Sequence, residues 1–302
     1  MLRALRDVLV IAAFELQSSL RSRKALLLLG LYLAGAMAAS GAFVSMLRAV
    51  EDATAEALSV ATTEDPGAMT RSLMENEQLL DVATELVGDR ELARQLLSIP
   101  PLALFYGWLA LTFVPVLVTL TSSDAIAADV DSGAARYALV RTRRSAWAAG
   151  KLLGQVLLMG CGIALGAVGS WSVGLFFTSG FEPLATGAWM LRLGGRACLS
   201  GFAYLGLVLG VSQLTRSANR ARAFGLLALI AVGGLRALLG APRVHDEAPV
   251  LFDSLAQVLP GTHAMGLWQP QLLQRLPSVG MLLALGAAFF VLGHQRFARR
   301  DG

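Results

Sequence analysis

The sequence predicts an all-α integral membrane protein with six transmembrane helices, on three observations. Hydrophobic residues make up 55% of the 302 residues and charged residues 15%, against roughly 45–50% and 25% in a soluble domain. Mean hydropathy is +0.61. The apolar residues gather into six runs, each near the roughly 20 residues that cross a bilayer core. Such a composition excludes a disordered chain, a coiled coil and a disulfide-stapled module. Cys161 and Cys198 both sit in apolar runs, with no metal-ligand spacing.

Residues 1–24 come first. Leu5, Leu9, Ala12, Leu16 and Leu20 recur at helical spacing, with Arg3, Arg6, Glu15 and Gln17 on other faces. This predicts an amphipathic helix lying on the membrane surface; a plain charged tail is the alternative. The first apolar stretch is short and lacks a cleavage site, so it does not read as a signal peptide. Residues 25–302 then form one transmembrane domain.

The expected spans are 25–47, 102–120, 152–177, 197–214, 223–239 and 276–292. Between the first two, residues 48–101 carry eleven acids. Met69, Leu73, Leu80 and Val87 mark one amphipathic helix ending at Gly88. Asp89 can cap a second, with Leu92 and Leu96, stopped by Pro100-Pro101. The pair reads as a helical outer hairpin, either a solvated cap or a surface for a partner or substrate. Residues 240–278 form another outer segment. Leu251, Phe252, Leu255, Val258 and Leu259 suggest a short re-entrant helix, broken by Pro260-Gly261. Segment 178–196 shows no distinguishing pattern.

The loop 121–151 is the most informative. Asp124, Asp129 and Asp131 precede Gly133; Arg136, Arg141, Arg143, Arg144 and Lys151 follow it. Acids at a helix start and bases at its end suit the helix dipole. The order reads as a structured surface presented to a cytoplasmic partner.

Orientation follows from basic residues. Segments 1–24, 121–151, 215–222 and 293–302 hold sixteen of the 25 Lys and Arg and six of the 21 acids. That side is expected to be cytoplasmic, with both termini. The net charge of +4 is then a topology signal and no nucleic-acid footprint, because the basic clusters lie beside spans.

No expected span holds Asp, Glu or Lys in its interior, which argues against a proton relay or intramembrane metal site. His245 and His263 lack metal spacing, and no nucleophile motif or phosphate-binding glycine loop is present. The chain is therefore expected to be no enzyme. Gly150-xxx-Gly154, Gly162-xxx-Gly166 and Gly206-xxx-Gly210 allow close helix approach, within the bundle or between copies. The five tryptophans, Trp147 and Trp268 among them, mostly fall where interfacial anchors would.

Three patches resemble the permease subunit of ATP-binding-cassette exporters of the second (type-2) membrane family. Phe14-Glu15-Leu16 through Arg21-Ser22-Arg23-Lys24 is similar to that family's elbow helix. Asp129-Val130-Asp131-Ser132-Gly133, then Leu139, Arg144 and Gly150-Lys151, resembles its coupling loop. Phe297-Ala298-Arg299-Arg300-Asp301 resembles its usual ending. Ala134 stands where the family has threonine, and no proline lies between Gly133 and Lys151.

The resemblance implies a permease that couples ATP hydrolysis by a separate ATPase to export. Docking would use Asp129, Asp131, Gly133, Arg136, Arg141 and Arg144, with Glu15, Arg21 and Arg23 as elbow-helix contacts. Asp131 and Arg136 would lie at the ATPase contact. No cofactor is expected in this chain; ATP and Mg would be bound by the partner ATPase. A second permease copy, as homodimer or heterodimer, the lipid bilayer and a bacterial cytoplasmic (inner) membrane complete the expectation. The alternative is a mechanotransmitting subunit that drives a periplasmic partner through residues 48–101. A non-transporting anchor is the third option.

Overall fold

The computed structural model describes residues 2–58, 77–178, 181–239, 255–269 and 271–299. Among them there is no strand. Twelve helices follow in chain order: α1 (Leu2–Arg21), α2 (Arg23–Leu58), α3 (Glu77–Val87), α4 (Arg90–Leu97), α5 (Pro101–Ser122) and α6 (Ala127–Asp131). Then come α7 (Ala134–Arg141), α8 (Arg144–Phe177), α9 (Pro183–Leu214), α10 (Ala218–Leu239), α11 (Pro260–Gly266) and α12 (Leu272–Arg299). Six segments are long and apolar enough to cross a membrane: five lie in α2, α8, α9, α10 and α12, and the sixth, Pro101–Asp131, runs through α5 and α6. All six expected spans lie inside these helices.

The helices overrun the apolar runs. Helix α8 begins at Arg144, eight residues before the expected span, and α9 begins at Pro183 rather than at 197. Hydropathy marks where lipid begins, whereas backbone hydrogen bonding continues wherever side chains find cover. So 121–151 is not one loop: α6, α7 and the first two turns of α8 occupy most of it. Likewise residues 183–196, featureless in the sequence reading, are helical and hold the buried Arg196.

Local signals explain the breaks. Gly88 (φ +78°) and Gly133 (φ +79°) take left-handed backbone, which a side chain would strain. Asp89 accepts hydrogen bonds from the Glu91 and Leu92 amides at 2.9 and 3.2 Å, capping α4. Met69 and Leu73 lie outside the described residues. Proline begins α5, α9 and α11, where its missing N–H costs nothing. Residues 255–257 are helical, the run breaks at 258–259, and Pro260 starts the next helix; 251–254 fall outside the described residues.

The core lies between α5, α8 and α9, around Tyr106, Val114, Ile163, Leu193, Leu205 and Leu209. Tyr106 donates its hydroxyl to the Ile163 carbonyl at 2.8 Å, so its one buried polar group is satisfied. Glycines set the spacing. A Cβ added at Gly210 would sit 2.5 Å from the Phe289 carbonyl oxygen of α12, and one at Gly293 2.5 Å from the Gly210 oxygen. Gly162 faces Leu117 and Leu29, and Gly166 faces Tyr32. All three small-residue pairs thus serve packing within the bundle.

Two ends result. The basal end gathers α1, α6, α7, the start of α8 and the last turns of α12. The distal end gathers α3, α4, α11 and the starts of α9 and α12. Large apolar side chains such as Phe224, Leu227 and Ile230 on α10 and Leu31 on α2 are exposed. A lipid-facing surface requires this reversal of the soluble pattern.

Candidate functional site

The basal end is organised by the docking of α1 on α8. Glycine at 150 and 154 leaves a groove on α8. A Cβ at either position would come within 2.6 Å of Ile11 or Glu15 respectively. The buried or half-buried face of α1 is therefore Val8, Ile11, Ala12 and Glu15, at positions i, i+3, i+4 and i+7. Leu5 and Leu9 lie outside this contact and are exposed. The groove, rather than the sum of hydrophobicity, selects which face turns inward. Helix α1 also packs along α8.

That docking buries a carboxylate. Glu15 is 5% exposed and sits 2.5 Å from Lys151 Nζ. Its other oxygen accepts from Gln155 Nε2 at 2.7 Å. Gln155 Oε1 in turn accepts from Ser122 Oγ at 2.8 Å. Lys151 also pairs with Asp129 of α6 at 2.6 Å and donates to the Ala125 carbonyl at 3.4 Å. Its ammonium lies 5.9 Å from the Trp147 ring centre, and that ring stacks on Phe297 of α12. One lysine thus links α1, α6 and α8, with α5 joined through Gln155. Burying a charge is costly unless it is paired and hydrogen-bonded, and this group meets that condition.

A second junction lies beside it. Asp124, between α5 and α6, accepts from Lys24 at 2.7 Å and from Arg222 Nε at 2.7 Å, which ties α2 to α10. Asp131 accepts the Ala218 amide at 3.2 Å, capping α10 from α6. Ser212 Oγ of α9 accepts the Ala127 amide at 3.0 Å. Arg144 donates to the Ala298 carbonyl at 2.9 Å, joining α8 to α12. Every spanning helix has a polar tie to this end.

The expected site residues divide accordingly. Glu15, Asp129, Asp131 and Arg144 engage this chain's own helices. Gly133, with φ +79°, makes the turn between α6 and α7. Arg136 and Arg141 are exposed and make no ion pair among the described residues; Arg21 and Arg23 are the same. Beside them on α7, Tyr137 and Val140 are 82% and 86% exposed. The other side of α7 is anchored by Ala135, 5% exposed.

Sequence reading missed Gln155 and the inward pairing of Lys151. It placed Lys151 at the edge of a loop, whereas Lys151 is 7% exposed within α8. It also read Trp147 as an anchor, but that ring is 2% exposed in the core. A signal was present: Glu15 continues the Val8–Ile11–Ala12 stripe, and Lys151 and Gln155 are interleaved with the Gly150/Gly154 pair. Among the described residues no group of His, Cys, Asp and Glu could hold a metal ion. His263 Nε2 of α11 lies 2.8 Å from the carbonyl of Gln257, just before that helix.

The arrangement defines a class: a multi-pass helical membrane protein whose spans are fastened together at one end beneath an exposed short helix. A family model described as ABC-2 family transporter protein matches residues 9–302. The chain belongs to that family and is a transporter membrane component. Comparison with curated proteins finds no match.

Proposed function

We propose that this chain is the permease subunit of an ATP-driven exporter, with its basal end and both termini in the cytoplasm of a bacterial cell. A separate ABC ATPase binds ATP and Mg and docks on α7. A second permease copy completes the path. The exposed α7 face carries this reading: Arg136, Tyr137, Val140 and Arg141 set cations beside large apolar groups on a helix anchored from behind. An aromatic and an arginine on one exposed face suit a protein contact. The excess of Lys and Arg at this end supports the orientation.

The mechanism has no covalent step in this chain. When the ATPases close, α7 moves. Asp129 is fixed to Lys151 and Lys151 to Glu15, so α6, α8 and α1 shift together. Rigid helices then tilt about their packed glycine contacts and the path alternates its opening.

The test is co-purification of the ATPase, followed by Arg136→Glu and Tyr137→Ala. Each should lower ATPase binding or uncouple hydrolysis from transport while leaving the fold intact. Unchanged coupling in both would refute the docking assignment. Asp131 also steadies the start of α10 through the Ala218 amide, and reversing its charge should loosen that helix. The described part of the hairpin, α3 and α4, packs chiefly on itself, which lends the periplasmic-drive alternative no support.

A further inference from the structure

At the distal end Arg196 of α9 is 8% exposed, and its Nη1 is buried with no hydrogen-bond partner. Its guanidinium lies 5.9 Å from the Trp268 ring centre, covered on that face. Among the described residues, the charged groups whose fields reach it are Arg275 of α12 and Arg192 one turn earlier on α9. Both carry its own sign. Arg192 rests over Trp189 at 5.0 Å, and Arg275 donates to the Gln269 carbonyl. Basal lysine Lys151 has two carboxylates; this arginine has none among the described residues.

Depth narrows the ligand. Eighteen residues separate Arg196 from Leu214, the basal end of α9, a rise of about 27 Å. That places the guanidinium near the far edge of a hydrocarbon core of about 30 Å, at the level of headgroups. Trp189 and Trp268 suit the same interfacial level. Leu191 on α9 and Leu272 and Leu273 on α12 are more than 70% exposed nearby in sequence, a surface for acyl chains. A buried cation with like-charged neighbours is unfavourable until an anion joins it. Arginine donates in a fork that matches phosphate oxygens.

We infer that Arg196, flanked by Arg192 and Arg275, binds the anionic phosphate headgroup of an amphiphile at the distal edge of the membrane. The site is independent of ATPase docking, because it lies at the opposite end of α9. Its ligand could come from the bilayer as an anionic phospholipid, or from the aqueous side as a free phosphate.

The full chain in mild detergent would be titrated with phosphatidylglycerol, with phosphatidylcholine and with inorganic phosphate, reading the thermal midpoint. Phosphatidylglycerol should raise the midpoint in a saturating manner, and phosphatidylcholine should raise it less. Arg196→Gln should weaken the apparent lipid affinity at least about tenfold. Arg192→Gln, at an exposed position, should weaken it about two- to fivefold. Protection by inorganic phosphate alone, lost in Arg196→Gln, would support the same site with a free anion as its ligand. Equal response to both lipids, equal response of wild type and Arg196→Gln, or no response to any of the three would overturn the site. If Arg196→Gln does not fold, an unchanged lipid affinity in Arg192→Gln overturns it instead.

Discussion

At the basal end Lys151, 7% exposed, lies between Glu15 and Asp129 at 2.5 and 2.6 Å. At the distal end Arg196, 8% exposed, has an aromatic face on one side and, among the described residues, only two arginines for charged neighbours. Burial is the same and pairing is opposite. A cation enclosed by its own chain's carboxylates is a fastening. Its energy depends on helices staying where they are, and no ligand can improve it. A cation enclosed without a counter-charge attracts negative charge, and its energy falls when an anion binds. The two ends divide the work of one helix bundle: one holds geometry, the other is built to meet an anion.

The largest effect should come from breaking the fastening. Lys151→Met leaves Glu15 buried without its cation, a loss of about 3–5 kcal/mol for a pair of this kind. The double variant Glu15→Gln/Lys151→Met should recover more than half of that, because the new amide at position 15 can still accept from Gln155 and no unpaired carboxylate stays buried there. Thermal unfolding of both in the same detergent measures the difference. A single variant that loses less than about 1 kcal/mol would mean water reaches this site, and the contrast with the distal end would dissolve.

Asp124→Asn should cost less, about 1–2 kcal/mol. The aspartate is buried, but Lys24 and Arg222 are 40% and 48% exposed at their side chains, so solvent takes them back when the acid is lost. Asp131→Ala removes one exposed acceptor from the start of α10 and should cost about 0.5–1 kcal/mol. Added salt should shrink the Asp131 effect and leave the Lys151 effect almost unchanged, since only exposed charges are screened.

The spans were legible because an apolar run is a local property that lipid demands directly. The Gly133 break and the Asp89 cap were legible for the same reason: each is decided within four residues. The basal fastening was not, because Glu15 and Lys151 are 136 positions apart and meet only through a groove at Gly150 and Gly154. The ordered charges of α6 and α7 read as a structured surface. Their order could not separate Asp129, which turns inward to Lys151, from Arg136, which stays outside. Hydropathy also hid Arg196: a run counted from 197 places it outside the span, whereas α9 continues fourteen residues beyond that boundary to Pro183. What could not be read was where helices end relative to lipid, and buried charge lives in that margin.

The sharpest discriminator between the ends is therefore a change of sign, although its magnitude is the smallest. In detergent without anionic lipid, Arg196→Gln removes a buried cation that has no counter-charge among the described residues. The variant keeps an amide donor on a shorter stem, and it relieves repulsion from Arg192 and Arg275. Stability should be unchanged or rise by up to about 1 kcal/mol, where Lys151→Met falls by several. Anionic lipid should reverse the order, because wild type gains from binding and the variant does not. A marked loss of stability in lipid-free Arg196→Gln would mean that the arginine is fastened like Lys151, to the Trp268 face and its surroundings. The two ends would then be one kind of structure rather than two.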